Sequence, residues 1–488
     1  MQETKMQEIN AQETNVLETL SSLKSAYVGK LLTEEADKAP YLTDWRKRYH
    51  GKALAVLLPQ SAQELAPAVA WAYANNVALV PQGGNTGLAG GATPDMQGRT
   101  LVISLTRMNQ VRAIDKVNNT ITVDAGCILQ HVQEAADQAD RLFPLSLAAE
   151  GTCTIGGNLS TNAGGVQVLR YGNARELCLG LEVVNAKGEV WNGLRGLRKD
   201  NTGYDLRDLF IGAEGTLGIV TAATLKLFPR PKGQATAVVA VDTPELALDL
   251  LGLAQSQLDA RLTAFELFSE FCLELVLKHY PDCKRPVSQP APYYVLLECS
   301  DALSEASAQS QIEHLLESAL EAGLISDAAV ATSTQQSNQL WALRENISEA
   351  QAAEGKNIKH DISVPISSIA HFIRLTNAEL QDSFPDIRMV VFGHLGDGNL
   401  HYNVSPSSAK TGQQHEATFL ALQPEINRIT HDAVHAFQGS ISAEHGLGQL
   451  RRDESQRYKT DIEMAMMRAV KTALDPKGLF NPGKVLNL

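Results

Sequence analysis

The stretch Pro81–Pro94 constrains the fold more than any other part of the sequence. Five of its fourteen residues are glycine, and it contains no Lys, Arg, Asp or Glu. Glycine tolerates positive φ and lets a ligand approach the backbone closely, and successive N–H groups can form a concave site for phosphate. The apolar run Ala78–Val80 before it predicts a buried strand. The stretch therefore predicts a phosphate-binding loop after a strand, with a long flexible turn as the alternative.

The usual nucleotide loops do not match this stretch. The sequence has no G-x-G-x-x-G that opens a helix and no G-x-x-x-x-G-K-[ST]. The absence of a lysine from the loop argues against transfer of a Mg-nucleotide phosphate.

Two further segments are rich in glycine and small residues, Gly151–Gly165 and Ile211–Val220. The second has the spacing G-x-x-G-x-x-G, which is not a dinucleotide fingerprint. Three such segments in one domain predict a crevice for a long, flat ligand, a shape that FAD has. The order strand, helix, strand, loop at the start of the domain places the first segment at the carboxyl end of a strand, where α/β folds commonly bind ligands.

Composition narrows the class of protein. A chain of 488 residues predicts two or three domains. The net charge of -13 argues against binding to nucleic acid or to anionic membranes. No run approaches the ~20 apolar residues of a membrane-spanning helix, and Met1–Glu18 lacks the pattern of a signal peptide. Six cysteines without a C-x-x-C motif predict thiols in a reducing cytoplasm.

The order of predicted strands and helices, with the break at a Pro/Gly-rich segment, predicts four regions in an α+β protein. Residues 1–50 form a polar helical arm, and residues 51–230 form the ligand-binding domain. Pro229–Gly233 marks a boundary. Residues 231–460 follow a β-α-β-β-α-β order, which predicts a ferredoxin-like cap. Residues 461–488 form a C-terminal segment that returns to the first domain.

A metal site is predicted from His394, His401 and Glu444. The turn signal Gly396-Asp397-Gly398 lies between two strand-like runs, so a hairpin would bring the two histidines together. Two imidazoles and a carboxylate would leave positions open, as catalytic zinc centres do. The alternative is that the histidines are ordinary surface or core residues.

His431 and His435, four residues apart on a predicted helix, resemble H-E-x-x-H but have Asp in place of Glu. Their polar neighbours Asn427, Arg428 and Thr430 predict a solvated face rather than a second metal site.

Two other pairs of polar residues are predicted to share a face. Helical periodicity places Arg344 and Ser348 on one face, and Lys359 and Asp361 lie on one side of a predicted strand. The alternative is a solvated helix and an ordinary edge strand.

Together, Gly393–His401, Glu444–Gly446 and Asp475–Gly483 resemble the FAD-dependent D-2-hydroxyacid dehydrogenases, which have a p-cresol methylhydroxylase-type FAD domain. The likeness runs from about residue 50 onward and is closest to the D-2-hydroxyglutarate dehydrogenase members. Some relatives hold FAD covalently through a histidine of the first loop, whereas this loop has none, so we expect non-covalent FAD. The resemblance implies FAD contacts at Pro81, Gly83, Gly84, Asn85, Thr86, Gly87, Gly151, Thr152, Gly156, Gly157, Asn158, Thr161, Asn162, Gly164, Gly165, Glu214, Gly215, Gly218, Ile219 and Asn481.

The resemblance also implies roles for the polar residues of the second domain. His394, His401 and Glu444 would hold a divalent metal, with zinc favoured, that acts as a Lewis acid on the substrate hydroxyl. Arg344 would hold the C1 carboxylate and His445 would accept the hydroxyl proton, while the C2 hydride passes to FAD. The substrate-binding set comprises Arg344, Ser348, Lys359, Asn403 and His445. Ser348 departs from the threonine of the family but keeps its hydroxyl.

The implied substrate is a D-2-hydroxy dicarboxylate, with D-2-hydroxyglutarate favoured over D-malate, because Lys359 and Ser348 would hold a distal carboxylate. D-lactate or glycolate is the alternative substrate within the family. An electron-transfer flavoprotein or a quinone would reoxidise the flavin, and a homodimer is the expected assembly. A flavin-free metal-binding scaffold and an enolpyruvyl-sugar type reductase are rival interpretations; the reductase would have no use for His394, His401 and Glu444.

Overall fold

A computed structural model describes residues 18–407 and 413–487. The predicted arm is described from residue 18 only, so the part of that prediction covering residues 1–17 lies outside the described residues. The described arm begins with helix α1 (18–26) and continues with strand β1 (Lys30–Leu32), a short helix α2 (Glu35–Lys38) and a 3-10 turn at Ala39–Tyr41. The arm is therefore not purely helical, because β1 pairs with a strand of the first domain.

The first domain contains strands and short helices between residues 51 and 230. Its strands are β2 (Ala55–Leu58), β3 (Ala78–Gln82), β4 (Thr100–Ser104), β5 (Val111–Asp115), β6 (Thr120–Asp124), β7 (Arg141–Leu142), β8 (Cys178–Val184), β9 (Val190–Gly193), β10 (Ile219–Lys226) and β11 (Phe228–Pro229). Its helices are α3 (Ala62–Asn75), α4 (Leu129–Gln138), α5 (Ile155–Thr161), α6 (Val168–Tyr171), α7 (Ala174–Leu177) and α8 (Arg207–Phe210).

Two main sheets build the first domain. A four-stranded sheet has the order β1-β2-β4-β3, in which β2, β4 and β3 are parallel, and a five-stranded antiparallel sheet has the order β5-β6-β10-β8-β9. Helix α3 begins after Ser61, whose hydroxyl accepts from the Glu64 amide at 3.1 Å and so caps the helix. The first glycine segment follows β3 and lies at the carboxyl end of a parallel strand.

The second glycine-rich segment is not a continuous loop. Residues Ile155–Thr161 form α5, whose C-cap Asn162 adopts the left-handed conformation with φ 52°. Glycine does not prevent this short helix, because buried Ile155 and Leu159 anchor it in the core of the first domain.

The second domain and the C-terminal segment contain the remaining elements. The strands are β12 (Gly233–Val241), β13 (Leu262–Ser269), β14 (Tyr293–Asp301), β15 (Asp327–Val330), β16 (Asp361–Ser363), β17 (Ile387–His394) and β18 (Asn399–Pro406). The helices are α9 (Pro244–Leu258), α10 (Glu270–His279), α11 (Glu305–Glu321), α12 (Thr334–Glu345), α13 (Ile347–Ala353), α14 (Ile369–Ser383), α15 (Gln413–Ala421), α16 (Gln423–Ala436), α17 (Arg452–Tyr458) and α18 (Asp461–Leu474), with 3-10 turns at Asp259–Arg261 and Ile366–Ser368.

One seven-stranded sheet dominates the second domain, with the order β15-β12-β14-β13-β17-β18-β16. Its first four strands, numbered along the chain, have the order 4-1-3-2 of a ferredoxin-like sheet, as predicted. The remaining three strands extend that sheet on one side. The predicted hairpin is β17-β18, and it lies between β13 and β16, so residues on both neighbours can reach its histidines.

The C-terminal segment returns to the first domain. Leu79 of β3 donates its amide to the carbonyl of Leu479 at 2.8 Å and accepts from the amide of Asn481 at 2.7 Å. Val470 and Leu474 of α18 pack against the core of the first domain. Among the described residues, no helix is both long enough and apolar enough to cross a membrane.

Candidate active site

The three glycine-rich segments form one crevice in the first domain. Residues from all three segments line it, together with neighbours that were not predicted to contact the cofactor. The residues that line the crevice are Pro81, Gln82, Gly83, Gly84, Asn85, Thr86, Gly87, Ala89, Gly91, Ala92, Leu105, Cys153, Thr154, Gly156, Gly157, Asn158, Ser160, Thr161, Glu214, Gly215, Gly218, Val220 and His445. His445 comes from the second domain, so the proposed base and the glycine segments share one site.

Thirteen of the twenty residues predicted to contact FAD line this crevice, and seven do not. The seven outside it are Gly151, Thr152, Asn162, Gly164, Gly165, Ile219 and Asn481. Two of these, Asn162 and Asn481, stabilise the backbone around the crevice. Asn162 ends α5, and its side-chain oxygen accepts from the Arg175 amide at 3.0 Å. The side-chain amide of Asn481 donates to the carbonyls of Gly91 and Glu214, both at 2.8 Å.

The lining of the crevice suits a long, flat ligand that carries polar groups. A Cβ at Gly87 would meet no atom within 4 Å, so the backbone there borders open space. The hydroxyl of Thr154 lines the crevice, is buried, and has no hydrogen-bond partner among the described residues. A ligand with polar groups would satisfy it. The segment Pro81–Pro94 contains no histidine, so it offers no histidine for a covalent bond to flavin.

Glu214 connects the crevice to the second domain. Its carboxylate accepts from the amides of Leu447 at 2.7 Å and Gly448 at 2.8 Å. Burial raises the pKa of Glu214, although these amides act in the opposite direction. This residue was predicted to contact the cofactor. It borders the crevice, and it also fixes the turn that follows His445.

His394, His401 and Glu444 come together as predicted. One ligand atom from each lies within 4.8 Å of the others. The two imidazole centroids are 5.7 Å apart, and Nε2 of His394 lies 3.9 Å from Glu444 Oε1. The strand register pairs His401 with Phe392, two residues before His394, so the histidines are diagonal neighbours on the hairpin. A Cβ at Gly164 would come within 2.6 Å of the Glu444 carboxylate, so the second glycine segment abuts this cluster.

Glu266 of β13 supports this cluster and was not predicted. Its side chain is 1% exposed, and its carboxylate accepts from Nδ1 of His394 at 2.6 Å and from Nε of Arg344 at 2.8 Å. Burial opposes ionisation, but His394 and Arg344 outweigh it and lower the pKa of Glu266 to about 2. With Nδ1 of His394 engaged, its Nε2 is the nitrogen left for a metal, an arrangement common in metal sites.

The helix around Arg344 differs from the prediction. The chain ends α12 at Glu345 and begins α13 at Ile347, so Arg344 and Ser348 lie on two helices that meet at Asn346. Glu266 engages only Nε of Arg344, and the guanidinium lies 4.8 Å from the centroid of the Phe392 ring. No described residue bonds its two terminal nitrogens, which are therefore available for a bidentate pair.

Asp361 of β16 orients the segment that carries Glu444 and His445. Its carboxylate is 1% exposed and accepts from the amides of Glu444 at 3.0 Å and His445 at 2.9 Å. Nδ1 of His445 lies 3.3 Å from the same carboxylate. Burial lowers the pKa of His445, with Asp361 acting in the opposite direction. The imidazole is therefore held next to an anion and favoured in its neutral, proton-accepting form.

Lys359 lies just before β16 rather than within a strand, and no described residue forms a hydrogen bond or ion pair with its ammonium group. Burial, followed by the charges of Arg46 and Arg48, lowers its pKa to about 8. Asn403, which was predicted to contact substrate, makes one protein hydrogen bond at each end of its amide. The oxygen accepts from the His360 amide at 3.1 Å, and the nitrogen donates to the side-chain oxygen of Gln351 at 3.0 Å. In this structure Asn403 supports the backbone next to Lys359.

The prediction of a solvated face is wrong for His431 and Thr430, whereas His435 is exposed as predicted. His431 is 3% exposed and Thr430 is fully buried. Nδ1 of His431 lies 3.2 Å from Glu454, and its ring packs edge-on against His360 with centroids 5.5 Å apart. Polar residues can be buried when they find such partners. Neither His431 nor His435 belongs to a cluster with metal-ligand spacing among the described residues.

Two of the unpredicted residues had a signal in the sequence. Glu266 is a lone carboxylate between Phe265 and Leu267 in a predicted strand, and a buried charge of this kind requires partners. Asp361 was noticed beside Lys359, but its link to His445 depends on the fold. Gln82, Thr154 and Ser160 also line the crevice, and only their positions within the glycine segments could have indicated it.

Comparisons with known proteins agree with this architecture. The family model described as FAD binding domain matches residues 53–193, and the one described as FAD linked oxidases, C-terminal domain, matches residues 230–485. Two solved structures share the fold. A p-cresol methylhydroxylase with substrate bound gives a TM-score of 0.73 at 14% identity, covering 97% of each chain. An alkyldihydroxyacetonephosphate synthase gives 0.71 at 16% identity, covering 95% of this chain and 84% of that one. The predicted fold class is confirmed.

Relatives of higher identity extend along almost the whole chain. A D-2-hydroxyglutarate dehydrogenase of Xanthomonas citri pv. viticola is 41% identical over 458 residues, covering 93% of this chain and 94% of that protein. The protein of that name from Stutzerimonas stutzeri is 36% identical over 459 residues, covering 94% and 96%. The mitochondrial D-2-hydroxyglutarate dehydrogenase of Bos taurus is 37% identical over 467 residues, covering 96% and 83%.

Proposed function

The chain belongs to the FAD-linked oxidase family that includes the D-2-hydroxyglutarate dehydrogenases, and we propose that it oxidises a D-2-hydroxy dicarboxylate to the 2-oxo acid. D-2-hydroxyglutarate is the favoured substrate and D-malate the next. One observation carries the proposal: His445 lines the glycine crevice, while its neighbour Glu444 joins His394 and His401. A proton acceptor and a cluster with metal-ligand chemistry therefore border the site expected for the flavin.

The protein's part in the reaction is to hold the two cofactors and the substrate. FAD, held non-covalently by the glycine segments, supplies the two-electron acceptor. His394, His401 and Glu444 would hold a divalent metal, favoured to be zinc, which supplies a Lewis acid. The donor set of two imidazoles and one carboxylate fits such an ion, and Glu266 fixes the orientation of His394.

The substrate alcohol is positioned by charge and deprotonated by His445. The free terminal nitrogens of Arg344 suit the C1 carboxylate, and Phe392 and Glu266 keep the guanidinium in place. His445 accepts the hydroxyl proton at its Nε2, because Asp361 lies beside its Nδ1. Asp361 also binds two backbone amides, so the position of the base is fixed by three contacts to one carboxylate.

The preference for a dicarboxylate rests on Lys359. An ammonium that is mostly withdrawn from water and has no protein anion is unfavourable unless the substrate brings one. A distal carboxylate would supply that anion, with the hydroxyl of Ser348 as a second partner. D-lactate and glycolate, the alternative substrates, have no distal carboxylate and would leave Lys359 unpaired.

A panel of 2-hydroxy acids with an artificial dye acceptor tests this proposal. We expect turnover of D-2-hydroxyglutarate to exceed that of D-malate, and both to exceed that of D-lactate. Chelation and His401→Ala should each abolish turnover and lower the metal content while FAD stays bound. Full turnover in a demonstrably metal-free sample, or a preference for D-lactate, would contradict the proposal.

The electron acceptor, the assembly and the cellular compartment are also proposals. An electron-transfer flavoprotein or a quinone would reoxidise the flavin, a homodimer is the expected assembly, and the cytoplasm is the expected compartment. Turnover with purified candidate acceptors in place of the dye would identify the acceptor.

A further inference from the structure

A loop of the arm, Thr43–His50, lies beside the candidate active site, and we call it the arm loop. It precedes residue 53, where the matching FAD binding domain begins, so neither family match covers it. Thr43 bridges His50, and the buried carboxylate of Asp44 accepts from the amides of Arg46 at 3.1 Å and Tyr49 at 2.6 Å. These contacts give the arm loop a defined shape.

The arm loop is attached to the first glycine segment. The side-chain amide of Asn85 donates to the carbonyl of Thr43 at 2.9 Å. The ring of Tyr49 covers Gly90 so closely that a Cβ there would lie 2.6 Å from it. Gln449 donates to the carbonyl of the same glycine at 2.9 Å. The arm loop and the segment that follows His445 therefore meet at Gly90.

Four cationic residues lie near this meeting point. Arg46 and Arg48 belong to the arm loop, Arg451 follows Gln449 by two residues, and Lys359 precedes by two residues the carboxylate of Asp361, which pairs with Arg451. Arg451 is paired with Asp361 at 3.7 Å, so its charge is offset. By contrast, the guanidinium groups of Arg46 and Arg48 and the ammonium group of Lys359 have no ion pair or side-chain hydrogen bond within the described part of the chain. After burial, the charges of Arg46 and Arg48 are the causes that lower the pKa of Lys359. Asp44 is the carboxylate that acts on Arg46, and its oxygens already bind two backbone amides.

We propose that Arg46 is a further substrate-binding residue, which holds the distal carboxylate together with Lys359. Two cations brought together without an anion are unfavourable, and a carboxylate between them would offset both charges. Arg46 suits this role better than Arg48 because it is half-buried whereas Arg48 is exposed. A guanidinium can also bind a carboxylate through two parallel hydrogen bonds, which an ammonium cannot. This inference rests on the proposed function.

The test compares Arg46→Ala, Arg46→Lys and a control, Lys47→Asn, on D-2-hydroxyglutarate and D-lactate. A charge-assisted hydrogen bond predicts that Arg46→Ala lowers kcat/KM for the dicarboxylate roughly 10- to 100-fold. D-lactate turnover and FAD content should stay near wild type, and Arg46→Lys should restore part of the loss. Lys47 has φ 55°, a conformation that asparagine tolerates, so the control removes a charge from the arm loop without straining it.

Three outcomes would overturn the inference: equal losses on both substrates, loss of FAD from Arg46→Ala, or no change on the dicarboxylate. A binding measurement separates this result from failure of the proposed function. If the wild type oxidises neither acid, calorimetry with 2-oxoglutarate and 2-oxobutyrate still compares a dicarboxylate with a monocarboxylate. Weaker binding of 2-oxoglutarate alone to Arg46→Ala supports the role of Arg46, and equal binding by both proteins refutes it.

Discussion

Replacing Glu266 by glutamine should weaken metal binding while leaving the flavin in place. The carboxylate of Glu266 accepts from His394 at 2.6 Å and from Arg344 at 2.8 Å. Glutamine keeps one acceptor oxygen and presents an NH2 group to the other partner. The imidazole of His394 then loses the anion that holds its Nδ1–H, and the buried guanidinium of Arg344 loses its counter-charge.

The size of the effect follows from these two contacts. Loss of a carboxylate behind a metal-bound histidine typically lowers metal affinity or activity about 10- to 100-fold. Removal of one partner from a buried ion pair costs roughly 3–5 kcal/mol of stability. Glu266 is 1% exposed, so solvent cannot take over either contact. We therefore expect Glu266→Gln to show a higher metal dissociation constant, a higher KM for the hydroxy acid, and a lower free energy of unfolding.

The assay is competitive metal titration against a chelator, followed by elemental analysis and flavin absorbance. Glu298→Gln is the matched control. Glu298 is a buried carboxylate on the neighbouring strand β14, and it accepts from Thr263 at 3.0 Å and Trp341 at 3.1 Å without touching the cluster. The control should keep wild-type metal affinity. Equal metal affinity in Glu266→Gln and Glu298→Gln would refute the role given to Glu266.

Two other predictions concern the flavin and the pH dependence of stability. Acid precipitation should release all FAD into the supernatant, because the first glycine segment has no histidine; flavin that stays with the denatured chain would contradict non-covalent binding. Burial lowers the pKa of His431 from 6.5 to about 4. Below pH 6.5 the unfolded chain therefore takes up a proton that the folded protein does not, so the free energy of unfolding is highest above pH 6.5 and decreases as the pH falls toward 4. The decrease amounts to roughly 3 kcal/mol. Denaturant unfolding measured at several pH values should show a weaker dependence on acid for His431→Gln than for wild type. Parallel curves for the two proteins would contradict this role of His431.

Local patterns in the sequence predicted the centre of the site. The turn at Gly396–Gly398 fixed the hairpin, and the hairpin alone brings His394 near His401. The glycine segments likewise predicted a crevice from residue type. Both features depend on short stretches of chain, where turn chemistry and backbone freedom limit the possible structures.

The residues that hold the site histidines in place come from elements far away in the sequence. Glu266 faces His394 because β13 and β17 pair in that register, across more than a hundred residues of sequence. No local pattern determines such a register. His431 shows a related limit. A polar helix face was interpreted as solvated, but Glu454, 23 positions further along the chain, comes from another helix and binds His431.

The pairing of β3 with the segment around Phe480 has a consequence for synthesis of the chain. Leu79 is bridged to Phe480, which the ribosome adds about 400 residues later. At roughly 5–20 residues per second, that interval is on the order of 20–80 s. During it, β3 is paired only with β4, and the glycine segment after β3 lacks Asn481, which binds the Gly91 carbonyl. We therefore expect one edge of β3 to stay unpaired in the nascent first domain until the segment around Phe480 has been synthesised.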